Sequence, residues 1–374
     1  MSIKYLTTAN ISSSALVRDT KRLTSYGIPY VIPGIATNYT ITYLAVGGGG
    51  AGGSGADSTG GGGAGGVLIG NVTANIGTLY TITLGSGGTG SQYNGATPGS
   101  FSNGSGAAPG SLVSTNGANT TVTGTGLTTI NGFGGGYGRN DIYYYAPGSP
   151  SPGGAGGSGG GGNWSLSPSV GLAYGSPAIN LAGTQGYPGG LSGTGPGSNF
   201  QGGSGGGGAG GAGQGDNQPS PTIAFGGNGG IGVMSTITGS PIYYGGGGGG
   251  CIECPAPNMP SFPNLTAGVG GLGGGGSGTK GAQPRATTVN GSAGTVNTGG
   301  GGGGNWFAPV GGDSRGFVPG TGGGWNGGSG TFIVSFPASL FPGNANLTGA
   351  NTYTISNSGA NVVIQWTASG TFRA

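Results

Sequence analysis

The residues able to do chemistry in this chain are few, and their types do not combine into a catalytic group. Of 374 residues, 4% are charged and none is histidine. The acids are Asp19, Asp57, Asp141, Asp216, Glu253 and Asp313. Carboxylate-based acid–base work of the glycosidase kind pairs two carboxyl groups across one bond, and no two of these form an obvious pair. Gly-x-Ser-x-Gly occurs at residues 156–160 and 202–206. A serine nucleophile on such an elbow needs a histidine base, and the chain has none. Gly-x-Gly-x-x-Gly carries no information at this glycine content, and the absence of a Gly-Lys dipeptide excludes a Walker A loop. Cys251-Ile-Glu-Cys254 holds both cysteines. Zinc would need two further Cys or His ligands, and a thioredoxin-like role needs a βαβ setting. A local loop-pinning disulfide and a pair of thiols both stay open. Nine basic residues, scattered along the chain, make no nucleic-acid footprint. The expectation is a protein that is not an enzyme, with no cofactor and no metal.

What the side chains offer instead is contact area. Short islands between glycine runs carry Tyr137, Tyr143, Tyr144, Tyr145, Trp164, Tyr174, Tyr187, Phe225, Tyr243, Tyr244, Trp306, Phe307 and Trp325. Tyr and Trp give large, rigid surfaces with a polar tip, which suits recognition. Local packing competes for the same residues. The candidate contact residues are Tyr143, Tyr144, Tyr145, Tyr243 and Tyr244.

Elements must hold these islands in place. Residues 39–46, 71–76, 78–84, 331–336, 353–356, 362–366 and 370–373 read as strands, rich in β-branched and aromatic types, and 120–130 reads as a weaker one. They bracket a glycine-rich middle. The economical arrangement joins both ends of the chain in one small β-structure, from which the middle projects. The expected division is an attachment segment 1–38, a glycine-rich domain 39–336 and a C-terminal β segment 337–374. Segment 1–38 holds Lys4, Arg18, Lys21 and Arg22 and few glycines. No apolar h-region follows Lys4, so no signal peptide is expected. No stretch of about 20 apolar residues exists to span a membrane.

Glycine accounts for 105 residues, many in runs broken by a single Ala or Ser. Collagen is a poor match, because glycine does not recur at every third place with proline. An α-helix is worse, since each interior glycine costs about 1 kcal/mol relative to alanine. Glycine linkers are flexible in isolation. Many runs of similar length suggest a periodic structure. A polyproline II-like helix has three residues per turn, rises about 3.1 Å per residue and bonds nothing within itself. Side by side, such helices can bond each other, provided no Cβ intervenes. Ordering glycine is entropically expensive, so one run could not stand alone and many could. The fold expected is mostly irregular and all-β: a polyglycine II bundle with a small β-structure built from the chain ends.

The segment that opens at Tyr39 as Tyr-Thr-Ile-Thr-Tyr-Leu-Ala-Val and runs into Gly-Gly-Gly-Gly-Ala-Gly-Gly resembles the start of the glycine-rich domains of bacteriophage tail-fibre proteins. Gly-Gly-Ser-Gly-Thr-Phe-Ile-Val-Ser-Phe, ending at Phe336, resembles their return to a final strand. The central runs resemble the polyglycine II sandwich of receptor-binding adhesins at phage fibre tips. The resemblance covers residues 39–336 and rests on composition. It implies a virion protein made in the host cytoplasm, homo-oligomeric with a trimer among the options. It would dock on other virion proteins through 1–38 and meet a host surface protein or glycan through loops between runs. Two other classes compete. One is an architectural virion or filament decoration without a receptor. The other is an ice-binding or extracellular matrix glycine-rich protein, which irregular runs and bulky aromatics disfavour.

Overall fold

The computed structural model describes residues 38–55, 58–91, 114–140, 153–162, 185–191, 201–220, 223–253, 264–281, 289–306, 323–341, 347–348 and 353–374. Residues 1–37 of the expected attachment segment, Tyr143–Tyr145, Trp164, Tyr174 and Cys254 lie outside them.

Two five-stranded antiparallel sheets pack face to face. The first runs in the order Tyr353–Ser358, Asn361–Trp366, Thr331–Pro337, Asn38–Val46, Val67–Asn75. The second runs Leu347–Thr348, Gly370–Arg373, Leu79–Thr83, Thr120–Gly124, Ile130–Gly132. The ends of the chain do meet: Thr42–Val46 pairs with Thr331–Ser335. The strands after residue 337 belong to the same two sheets. The weak 120–130 segment is a hairpin of two short strands, turned at Gly126 with φ +76°. Among the described residues there is no α-helix, and Ala338–Leu340 forms a single 3-10 turn.

Alternation puts Tyr39, Ile41, Val334, Phe336, Val362, Ile364 and Trp366 of the first sheet against Tyr80, Ile82, Val122 and Phe372 of the second. Rings touch at 5.7 Å for Tyr39–Phe336 and 5.8 Å for Phe336–Phe372. The opposite face of the first sheet is buried as well: Leu44, Val46, Val67, Ile333 and Val363 pack with Ala209 and Tyr244 of the glycine-rich part. A strand covered on both faces has no solvent side, which is why residues 331–336, Thr-Phe-Ile-Val-Ser-Phe, are buried without a break.

The sandwich strands run on into glycine. The pairing of Val46 with Val67 continues as Gly47 N–H to Gly66 O, Gly50 to Gly63 and Gly53 to Gly60. Beyond the sheet, however, successive amides leave in different directions. Gly48 and Ala51 donate to Ala118 and Thr115, and Gly49 and Gly52 donate to Gly328 and Trp325, all at 2.8–3.1 Å. The carbonyls of the same run accept from Gly135 and Gly138, from Gly88, and from Gly302 and Asn305. Three donor directions and three acceptor directions give residues 47–53 six bonded neighbours. Runs 60–66, 202–209, 245–251 and 299–305 are surrounded in the same way, some neighbours parallel and others antiparallel. An extended strand in a sheet has two neighbours; this bonding needs an amide direction that repeats every three residues.

Only glycine fits at most of these positions. A Cβ at Gly62 would overlap the carbonyl of Gly50, and one at Gly248 that of Gly302. Where a run has no backbone neighbour at the right place, a carboxamide supplies the missing acceptor. Asn116 Oδ1 accepts from Tyr137 N–H at 2.9 Å and Asn119 Oδ1 from Gly134 N–H at 2.8 Å. Gln185 Oε1 accepts from Phe133 N–H at 3.0 Å. These three carboxamides satisfy amides that no neighbouring backbone carbonyl reaches.

Candidate functional site

Among the described residues, the interior glycine runs present no side chain to a partner, which turns attention to the outer runs and the segments that connect them. Of the acids, Asp216 and Glu253 are described, and among the described residues no group of three His, Cys, Asp or Glu could hold a metal ion. Cys251 is buried within a run; its Sγ accepts from Thr59 N–H at 2.9 Å, and Trp306 packs against it. Around it, Thr59 Oγ1 donates to the Asn305 carbonyl at 2.8 Å and Thr279 Oγ1 to Asn305 Oδ1 at 2.7 Å. Trp325 Nε1 donates to Thr279 Oγ1 at 3.3 Å. This polar knot ties Trp306 and Trp325 to the runs.

The predicted contact tyrosines do not form one patch among the described residues. Tyr243 and Tyr244 sit on the short strand Ile242–Tyr244, paired with Val233–Ser235. Tyr243 is half-buried. Tyr244 is buried against Val46, Val67 and Val363, and burial raises its phenol above the ordinary pKa of 10.0. Alternation along a strand sends adjacent side chains to opposite faces, so the pair cannot act together. Tyr187 is exposed, and Tyr137 is half-buried beside the Asn116 carboxamide.

A regular surface among the described residues was not among the sequence candidates. Run 226–232 bonds four others: 202–209 and 245–251 on its inner side, and 210–216 and 266–272 beside it. In six-neighbour packing, four consecutive neighbours fill half a circle. Runs 210–216 and 266–272 therefore lie on opposite flanks, and the outer side is flat. Gln214 and Gly210 N–H donate to Asn228 and Ile231 carbonyls, while Gly226, Gly229 and Gly232 N–H donate to Thr266, Val269 and Leu272 carbonyls.

Outward positions on these runs recur every three residues. Phe225, Asn228 and Ile231 are exposed on the middle run, and Thr266, Val269 and Leu272 on its neighbour. Val269 and Leu272 are 59% and 61% exposed, and with Phe225 and Ile231 they gather on one face rather than standing singly. Asn228 Oδ1 accepts from Val269 N–H at 2.8 Å, and Asn228 Nδ2 donates to Gln214 Oε1 at 3.0 Å. A fixed carboxamide pair thus crosses the middle of an otherwise apolar face. The signal was present in the sequence as spacing by three, Phe-x-x-Asn-x-x-Ile and Thr-x-x-Val-x-x-Leu. No family model, curated protein or solved structure matches this chain.

Proposed function

We propose that this chain is a non-enzymatic structural protein of a virion, a phage fibre or adhesin component whose glycine runs form a polyglycine II bundle serving host attachment. The observation that carries the reading is the rotation of amide directions with a period of three, together with six bonded neighbours around each interior run. Three residues per turn sends successive N–H groups about 120° apart, as a polyproline II-like helix does. The overlap that a Cβ would create at Gly62, Gly206, Gly248 and Gly301 supports the same packing.

The function follows from mechanics. The sandwich anchors the bundle by burying both faces of its first sheet, and the bundle presents rim faces and inter-run loops on a rigid core. Tyr143, Tyr144 and Tyr145, with Tyr243 on its short strand, remain the tyrosine candidates for contact with a host surface protein or glycan. Residues 1–38 would join other virion proteins, and copies of the chain would assemble around a fibre axis.

Particle imaging with this chain labelled tests the reading. Label at fibre or tail tips is expected. Label repeating over a shell would replace attachment by decoration, and absence from particles would sink the virion assignment. Amide exchange tests the scaffold separately. Gly62, Gly248 and Gly302, bonded inside the bundle, should exchange orders of magnitude more slowly than exposed backbone at the turn around Gly239.

A further inference from the structure

We infer that the flat face built from runs 210–216, 226–232 and 266–272 is a binding surface for an uncharged polysaccharide chain lying along it. The inference rests on the attachment reading and names the chemistry of the partner at one place on the rim. Three properties of the face select that partner.

The first is size. Six residues at about 3.1 Å and three runs about 4.8 Å apart make a face on the order of 300 Å². A stable protein partner, including a second copy of this chain, buries about 800 Å² on each side. The face is too small for that and large enough for a short stretch of sugar rings.

The second is charge. The one ionisable residue on the three runs, Asp216, has its side chain beside Gly202 of the inner run, and none of the outward Phe225, Asn228, Ile231, Val269, Leu272 and Gln214 ionises, so no ionic ligand would find a counter-charge among them. A neutral partner loses no ionic hydration on arrival.

The third is the pattern. Pyranose rings present C–H faces between hydroxyl-bearing edges. Exposed Phe225, Ile231, Val269 and Leu272 can cover the C–H faces. The Asn228 and Gln214 carboxamides, already oriented by their mutual bond and by Val269 N–H, keep a second N–H and further lone pairs for sugar hydroxyls. Because the runs form a bonded lattice, little backbone conformational entropy is lost when the ligand docks. Single-site affinity on so small a face is weak. Several copies on one fibre would raise it through effective concentration.

The test is binding of the full chain to a printed array of neutral and anionic bacterial surface polysaccharides. Wild type should bind neutral members. Phe225→Ser with Leu272→Ser should lower that binding at least tenfold, with an unchanged unfolding midpoint. Val296→Ser, which removes an apolar side chain 66% exposed elsewhere on the rim, should leave it intact. Four outcomes would overturn the inference: no binding to any neutral member, binding to anionic members alone, equal loss in the Val296 variant, or ice-growth inhibition without array binding. Adsorption of particles carrying the same variants separates this inference from the attachment reading. Unchanged adsorption with a negative array would remove the polysaccharide face and leave attachment standing. A chain that proves absent from particles would remove attachment itself.

Discussion

Replacing Gly62 by alanine adds one methyl group where the bundle has no room for it. Gly62 N–H donates to Gly302 O at 2.8 Å, and its carbonyl accepts from Gly248 N–H at 2.8 Å. The new Cβ would run into the carbonyls of Gly50 and Ala51. Both are backbone atoms and cannot swing away, so run 60–66 must shift away from run 47–53. Three bonds hold these runs together, Gly47 to Gly66, Gly50 to Gly63 and Gly53 to Gly60. At about 0.5–1.5 kcal/mol net each, weakening them costs roughly 1.5–4.5 kcal/mol. Overpacking adds about 1–3 kcal/mol. The stiffer unfolded chain returns about 0.4–1 kcal/mol. Gly62→Ala should therefore destabilise by roughly 1.5–7 kcal/mol, a large part of a typical domain's stability. Gly211→Ala is the control. Its Cβ would meet the Ile231 γ2 methyl at 3.1 Å and no other atom closer than 3.9 Å, so the side chain can yield. That variant should lie within about 1 kcal/mol of wild type. Urea unfolding of the full chain, followed by tryptophan fluorescence and by amide exchange, reads both. Equal midpoints for the two variants would refute close packing of the runs.

Three further outcomes are expected. Asn116→Ala removes an acceptor from Tyr137 N–H and a donor to the Ala155 carbonyl, and should cost about 1–3 kcal/mol in the same unfolding assay. Trp366→Ala empties a fully buried site in the sandwich between Phe332 and Phe372, and should cost about 3–5 kcal/mol and lower the thermal midpoint. Alkaline pH should weaken the fold. Burial raises the phenols of Tyr39, Tyr43 and Tyr244, with Tyr80 adding to the effect at Tyr39. Their contribution is intact below the unfolded pKa of 10.0 and is lost as pH rises beyond it, because the unfolded chain then sheds protons that the folded chain retains. Midpoints measured from pH 8 upward should stay flat and then fall. A midpoint still rising above pH 11 would contradict the assignment.

The strands were legible because their signals are local. Residues 39–46 and 331–336 carry β-branched and aromatic side chains bounded by glycine, and both form strands that pair with each other. The second sheet was harder to foresee. Thr120–Gly124 and Ile130–Gly132 are short and polar and show in the sequence only as one weak strand over 120–130; burial of Val122 and Ile130 against Tyr80 and Phe372 accounts for the pair. Spacing within the glycine runs gave no hint of which run bonds which. Partners such as Gly62 and Gly302 are set by packing in three dimensions, and glycine has no side chain to encode the choice. The encoding sits instead at the rim, in Asn116, Asn119, Gln185 and Asn228, whose carboxamides each match one backbone N–H. Aromatic content pointed to Tyr244 as a contact residue, and the same property draws it into the seam between sandwich and bundle.

The rotation of amide directions has an evolutionary corollary. Deleting one residue from a run such as 47–53 would turn every later N–H by a third of a circle, so that each met the wrong neighbour. Deleting three shortens the run by one turn and restores every later bond direction. Tract lengths among descendants of this chain should therefore differ by multiples of three, while the connecting loops drift without such a rule. The bundle imposes a reading frame of its own, written in geometry and superimposed on that of the gene.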